Sequence, residues 1–307
     1  MPKIILYVIL FVIFFSVSAQ NRIKLWEGTE MTHKQKWSEL FVFLPEKGND
    51  SGISVIICPG GSYYWLDMDK EGFSVAEYLN KNGITAFVLK YRTAKRENHH
   101  PAMIQDLNRA MQLVTANSKK YGIDPEKIGV MGFSAGGHLA GIAAIYGDMR
   151  LSDMRLSDMR QSDMRQSEIG QSEIGKSEIE KSEIGNPKPY FAAMIYPVVS
   201  MEDSIGHKKS RKNLLGKNYS DELKQTMSLE KNVHAGMPPI FLLHCTGDKT
   251  VDYRNSVVFD KALTEKNIKH TFVLIDDCGH GFGIQPNGKA TGWIEMFVKW
   301  VGVMSSE

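Results

Sequence analysis

Six apolar runs recur along the chain, at 53–58, 84–89, 128–133, 191–199, 240–244 and 271–275. Helical patterns lie at 72–82, 101–121, from 135 onward, 254–265 and 293–301. In 101–121, Ile104, Leu107, Met111 and Val114 share one face, which is the spacing of an amphipathic helix. A strand that is apolar at every position must be covered on both faces. The alternation therefore predicts an α/β protein with a mostly parallel central sheet and helices on both faces. Shorter runs at 23–26 and 40–44 predict an antiparallel pair at one edge.

Two segments do not fit this pattern. Ile4 to Val17 are almost entirely apolar, but these fourteen residues are short of the roughly 20 that a spanning helix needs. They follow Lys3 and end in Ser18-Ala19, which reads as a secretory signal over 1–19 with cleavage after Ala19. An uncleaved anchor is the alternative. The expected location is periplasmic or secreted, with no stable membrane span after cleavage. Residues 151–185 are seven pentads, from Leu-Ser-Asp-Met-Arg to Lys-Ser-Glu-Ile-Gly, whose apolar residue recurs every fifth position. Five residues turn an α-helix by about 500°, so these side chains make no continuous stripe. On a strand an odd period alternates faces. With 8 acidic and 5 basic residues and no aromatic, the segment reads as a solvated insertion in a surface loop. A pentapeptide-repeat β-helix is the alternative, but seven pentads make fewer than two coils at about four pentads each.

Charge narrows the function classes. Lys and Arg total 37 against 35 Asp and Glu, so no basic excess points to nucleic acid. Cys58, Cys245 and Cys278 are too few for a disulfide scaffold and lack zinc-ligand spacing, so they are expected to be small buried thiols. No metal and no cofactor is expected.

The candidate chemistry lies at strand ends. Gly132-Phe133-Ser134-Ala135-Gly136 falls between the run at 128–133 and the helix from 135. A sharp strand-to-helix turn there would push the Ser134 hydroxyl out at the carboxyl end of the sheet. A serine hydroxyl needs a base. His280, in Gly279-His280-Gly281, follows the last strand. His99, His100, His138, His207, His234 and His244 lack that context; His138 is expected to pack or bond locally and His244 to be a core residue. Asp248, after the preceding strand, is the candidate to orient the base, with Asp252 its near rival and Asp276 and Asp277 too close to His280 in sequence. Pro59-Gly60-Gly61-Ser62 after the first central strand can turn backbone amides toward Ser134, with the amide of Ala135 as partner.

These residues also carry a resemblance. Cys58-Pro-Gly-Gly-Ser-Tyr, the run from Tyr121 through Ser134 to Ala140, Asp248-Lys-Thr-Val, Gly279-His-Gly-Phe and the stretch 206–216 resemble the α/β-hydrolase superfamily. More narrowly, they are similar to bacterial esterases of the acetyl-xylan and feruloyl esterase-like subgroup. The resemblance covers about 36–146 and 188–302. It implies an α/β-hydrolase domain over 20–307 that uses no cofactor and hydrolyses esters, often acyl groups on plant polysaccharides. By position it makes Ser134 the nucleophile, Asp248 the acid and His280 the base, in the chain order of that architecture. Gly61, Ser62 and Ala135 would supply the oxyanion amides. Ser62 stands where the usual loop has a third glycine, and Asp252 where the family often has proline.

The expected partner is an acylated carbohydrate or another small ester. Residues 201–236 are expected to cap the pocket, and Tyr63, Tyr64 and Trp65 to offer faces to a sugar ring unless one of them serves the core. A serine peptidase of the same superfamily would use the same three residues, and a non-catalytic carbohydrate-binding protein would keep the scaffold alone. Oligomeric state is not legible in the sequence.

Overall fold

A computed structural model describes residues 21–29, 31–32, 36–147, 187–284, 290 and 292–305. The segments read as a signal and as a pentad insertion lie outside the described residues. Among the described residues, eight strands form one sheet: β1 (Asn21–Lys24), β2 (Glu39–Phe43), β3 (Ser54–Cys58), β4 (Thr85–Lys90), β5 (Ile128–Phe133), β6 (Ala192–Ile195), β7 (Ile240–Cys245) and β8 (His270–Ile275). Their order is β1-β2-β4-β3-β5-β6-β7-β8. β2 runs antiparallel to β1 and β4, and the remaining pairs are parallel.

The apolar runs are continuous because both faces of the central strands are covered. On one face Ile56, Val130 and Leu242 pack with Leu107, Met111, Leu139 and Phe259 from the helices Ala102–Ala116, Ala135–Tyr146 and Arg254–Glu265. On the other, Val55, Met131 and Phe241 meet Val75 and Leu79 of Ser74–Lys81 and Phe297 of Trp293–Met304. Burying a side chain such as Phe297 contributes about 2–3 kcal/mol before entropy is counted. No described helix is long and apolar enough to cross a membrane.

Several boundaries differ from expectation. The run at 191–199 forms a strand only over Ala192–Ile195. Tyr196 takes φ 38°, off the extended region, and Pro197 has no N–H to give the ladder. The long helix breaks at Asn117, whose amide side chain donates to the Leu113 carbonyl at 2.8 Å. A short turn of another helical type, Asp69–Phe73, precedes the helix that was expected from 72.

The cysteine expectation is corrected. Cys245 and Cys278 form a disulfide with Cα atoms 5.2 Å apart, and only Cys58 among the three remains a buried thiol. Cys245 ends β7 and Cys278 follows β8. Those two strands are neighbours in register, from Ile240 opposite His270 to Cys245 opposite Ile275, which brings the two loops together.

Candidate active site

The turn after β5 is strained in a way that few side chains tolerate. Ser134 has φ 53° and ψ −117°, outside the allowed helical and extended regions. The crossing is close enough that a Cβ on Gly132 would collide with the Gly136 carbonyl, and one on Gly136 with the Cys58 carbonyl. Glycine at both positions is therefore a steric requirement of the turn. Ser134 is held from behind: its N–H donates to the Ile195 carbonyl at 3.0 Å, and its carbonyl accepts from Val198. Its hydroxyl lies 2.9 Å from His280 Nε2.

His280 Nδ1 lies 2.6 Å from Asp248 Oδ2. An ionised carboxylate only accepts, so Nδ1 carries the proton and Nε2 is left to accept from the Ser134 hydroxyl. Asp248 is fixed on its other oxygen, where Oδ1 accepts from the N–H groups of Thr250 at 2.8 Å and Val251 at 2.9 Å. Burial opposes its ionisation, but the hydrogen bonds of His244, His280 and the Val251 amide outweigh it and hold the carboxyl well below the usual carboxylate range. The rival Asp252 points elsewhere: it pairs with Arg254 at the surface, with Oδ2 2.9 Å from Nε. Asp276 and Asp277 are exposed.

The loop after β3 places further donors nearby. Gly61 has φ 132°, Ser62 57° and Tyr63 58°, a left-handed stretch that folds the chain back so that Tyr64 and Trp65 donate to the Gly61 carbonyl at 3.0 and 3.2 Å. Among the described residues, the amides of Gly61 and Ser62 have no protein acceptor. Ala135 opens its helix, where the first N–H groups lack intrahelical partners. Gly60 differs: its N–H donates to Glu71 Oε2 at 2.8 Å.

Tyr63 corrects an expectation. It is fully buried and its hydroxyl bonds His138 Nδ1 at 2.8 Å, so it offers no face to a sugar. Tyr64 and Trp65 are each nearly half exposed. His138 does more than bond locally. Its Nε2–H donates to the Met227 carbonyl at 2.8 Å, which leaves Nδ1 to accept from Tyr63. Residues 201–236 lie against this region through that bond and through Asn213, whose side-chain amide donates to the Ser62 carbonyl at 2.8 Å. His207 lies in the same segment, half-buried, and lines a cavity of about 550 Å³ with Asp248, Lys249 and Thr250. His99 is taken by the Asn213 carbonyl and His234 by that of Ile145. The His100 N–H donates to the Leu214 carbonyl.

Two neighbours of the site were not singled out from sequence, and a third was read only as a core residue. Glu71 is buried, and its Oε1 accepts from the Tyr196 hydroxyl at 2.8 Å. Burial raises its carboxyl, against the lowering effect of the Tyr196 and Gly60 hydrogen bonds. Tyr196 packs against His280 with ring centroids 4.8 Å apart and the rings tilted by 58°, and its oxygen accepts from the Gly283 N–H at 3.1 Å. His244, read as a core residue, is indeed fully buried, yet its Nε2 also lies 3.3 Å from Asp248 Oδ2. Nothing in the sequence separates Glu71 from an ordinary solvated acid at a helix start; Tyr196 had only its place at the end of an apolar run. Among the described residues, no cluster of three or more His, Cys, Asp or Glu side chains is placed to hold a metal ion.

Comparison with known proteins follows this geometry. An acetylxylan esterase of Xylanibacter ruminicola is 28% identical over 80% of the chain, and endo-1,4-beta-xylanase B of Butyrivibrio fibrisolvens is 27% identical over 89%. The chain spans only 44% and 39% of those two proteins. The crystal structure of an acetyl ester-xyloside bifunctional hydrolase from Caldicellulosiruptor lactoaceticus superposes with a TM-score of 0.77 at 29% identity, covering 93% of this chain and 97% of that one. The eight-stranded sheet and these neighbours give the α/β-hydrolase fold. The BD-FAE family model matches residues 40–263, and the chain belongs to that family.

Proposed function

We propose that this chain is a serine carboxylic-ester hydrolase that removes acyl groups of the acetyl type from plant-type poly- or oligosaccharides. The observation that carries the reading is the hydrogen-bonded line from Ser134 Oγ through His280 to Asp248, built on a strained strand-to-helix turn. His280 Nε2 takes the Ser134 proton as the hydroxyl oxygen attacks the ester carbonyl. The amides of Gly61, Ser62 and Ala135 receive the oxyanion. As the ester C–O bond breaks, His280 protonates the departing sugar oxygen to a free hydroxyl and the acyl group stays on Ser134 Oγ; water then repeats the two proton transfers on the acyl-enzyme. Asp248 keeps the imidazole in the required tautomer and stabilises its charged form.

The similarity to an acetylxylan esterase and to an acetyl ester-xyloside hydrolase supports the carbohydrate substrate. Residues 201–236 serve as the cap over the pocket. Export, with the signal removed after Ala19, is consistent with the Cys245–Cys278 disulfide, since such bonds persist in oxidising compartments.

The test is acetate release from acetylated xylo-oligosaccharides by the purified protein, with Ser134→Ala beside it. Release that the variant lacks is the expected result. Serine-dependent cleavage of p-nitrophenyl acetate without release from the saccharide would keep the mechanism and discard the substrate. Release that survives in Ser134→Ala would discard the nucleophile.

A further inference from the structure

The turn that presents Gly61 and Ser62 also turns Tyr64 and Trp65 outward, 44% and 48% exposed. Both line a groove of about 470 Å³, and Trp37, 52% exposed, lines it too. Single exposed aromatics need no explanation, but three converging on one concave surface beside a candidate active site mark a binding site.

The groove is also positive. Arg96 sits over the Trp37 ring, its Cζ 3.5 Å from the centroid. Four cations line the groove, and no acidic side chain does. Two of the four are already neutralised: Lys90 sits 2.7 Å from Glu39, and Arg92 pairs with the buried Asp106 at 2.9 Å. Lys95 and Arg96 are exposed and make no ion pair with a described residue. A guanidinium held on an indole face keeps its edge N–H groups outward and has less freedom left to lose on binding. Such a group is shaped to accept a carboxylate in a two-point contact.

We propose that this groove is a subsite for an acidic sugar, a hexuronate carried by the acylated oligosaccharide. The pyranose ring lies against Tyr64 or Trp65, and its carboxylate meets Arg96 and Lys95. The proposal rests on the reading of an acylated saccharide as substrate and adds its charge. The subsite adjoins the reaction centre through the chain itself, because Tyr64 and Trp65 donate to the carbonyl of Gly61.

The test is calorimetric titration of Ser134→Ala with two probes, xylotetraose and xylotetraose bearing one glucuronate branch. Both contacts are solvent-exposed, so the expected preference for the branched probe is about five- to tenfold. It should shrink at high salt and vanish in a Lys95→Gln/Arg96→Gln background. Trp65→Ala should weaken both probes. Equal affinity for the two probes, or a preference that survives the double substitution, overturns the acidic subsite and leaves the esterase reading standing. Failure of both probes to bind, alongside Ser134-dependent cleavage of p-nitrophenyl acetate by the parent, overturns the saccharide reading and the subsite together.

Discussion

Cys245 is bonded to Cys278, three residues before Asp248 on one side and two residues before His280 on the other. The bridge therefore ties the loop after β7 to the loop after β8, and these two loops carry Asp248 and His280. A cross-link closing 33 residues restricts the unfolded chain and contributes about 2–4 kcal/mol. The Cys245→Ala/Cys278→Ala variant should lose about that much in urea unfolding, and reductant should destabilise the parent but not the variant. With the two loops released, kcat on p-nitrophenyl acetate should fall while KM changes little. Identical unfolding midpoints with and without the bridge would remove it from the stability of this site.

Glu71 joins the loop of Gly60 and Gly61 to the loop that carries His280. One carboxylate oxygen takes the Gly60 N–H, and the other takes the Tyr196 hydroxyl, whose oxygen in turn accepts from Gly283. Tyr196 also supports the His280 ring. Glu71→Ala frees both loops and leaves the Gly60 amide without its partner. Interactions realised in the transition state should suffer most, so kcat should fall about a hundredfold with KM within about threefold. Glu71→Gln keeps an acceptor for Gly60 and a polar partner for Tyr196, and should recover most of the loss. A glutamine variant as poor as alanine would assign the effect to charge rather than to the two hydrogen bonds.

His138 makes stability depend on pH in a definite direction. Burial lowers its imidazole to about 4, against a smaller raising effect of the Met227 carbonyl. In the unfolded chain a histidine titrates near about 6.5. Between those values the unfolded chain binds more protons, so stability rises with pH across the window and is lost as pH falls through it. The gap corresponds to about 3 kcal/mol. His138→Gln can still accept from Tyr63 and donate to Met227. From about pH 7 to about pH 4 the parent should lose about 3 kcal/mol more than this variant, measured by urea unfolding at each pH. Parallel curves for the two proteins would rule out His138 as the titrating group.

What the sequence made legible follows from the physics of each element. The central strands stood out because a sheet covered on both faces, as at Ile56 and Ile57, leaves no polar position to interrupt the run. Ser134 stood out because its turn demands glycine at 132 and 136. The disulfide did not, since its pairing depends on β7 and β8 being neighbours, and spacing along the chain does not encode that. Nor did the inward rotation of Tyr63 beside the outward Tyr64 and Trp65. Three successive aromatics look alike in sequence, and only the left-handed backbone at Ser62 and Tyr63 separates them. Glu71 was silent for a related reason: its role comes from burial and from partners up to 125 positions away.

The pentad segment 151–185 lies outside the described residues, but the chain on either side of it does not. Gly147 closes the helix Ala135–Tyr146, and a Cβ placed there would sit 3.1 Å from Lys188 Cα and 3.1 Å from Pro189 Cδ. Gly147 and Lys188, the nearest described residues on either side of the segment, thus lie close together between that helix and β6. With the flanking residues already close, a shorter connection can join them, and each halving of loop length lowers the closure cost by only about 0.6 kcal/mol. Ser134 lies at the opposite end of the helix from Gly147. Replacing 151–185 with a short glycine-serine linker should leave kcat/KM within a few-fold and thermal unfolding within a few degrees of the parent. Insoluble or unfolded protein after that replacement would show that the segment contributes to the fold and is not a solvated insertion.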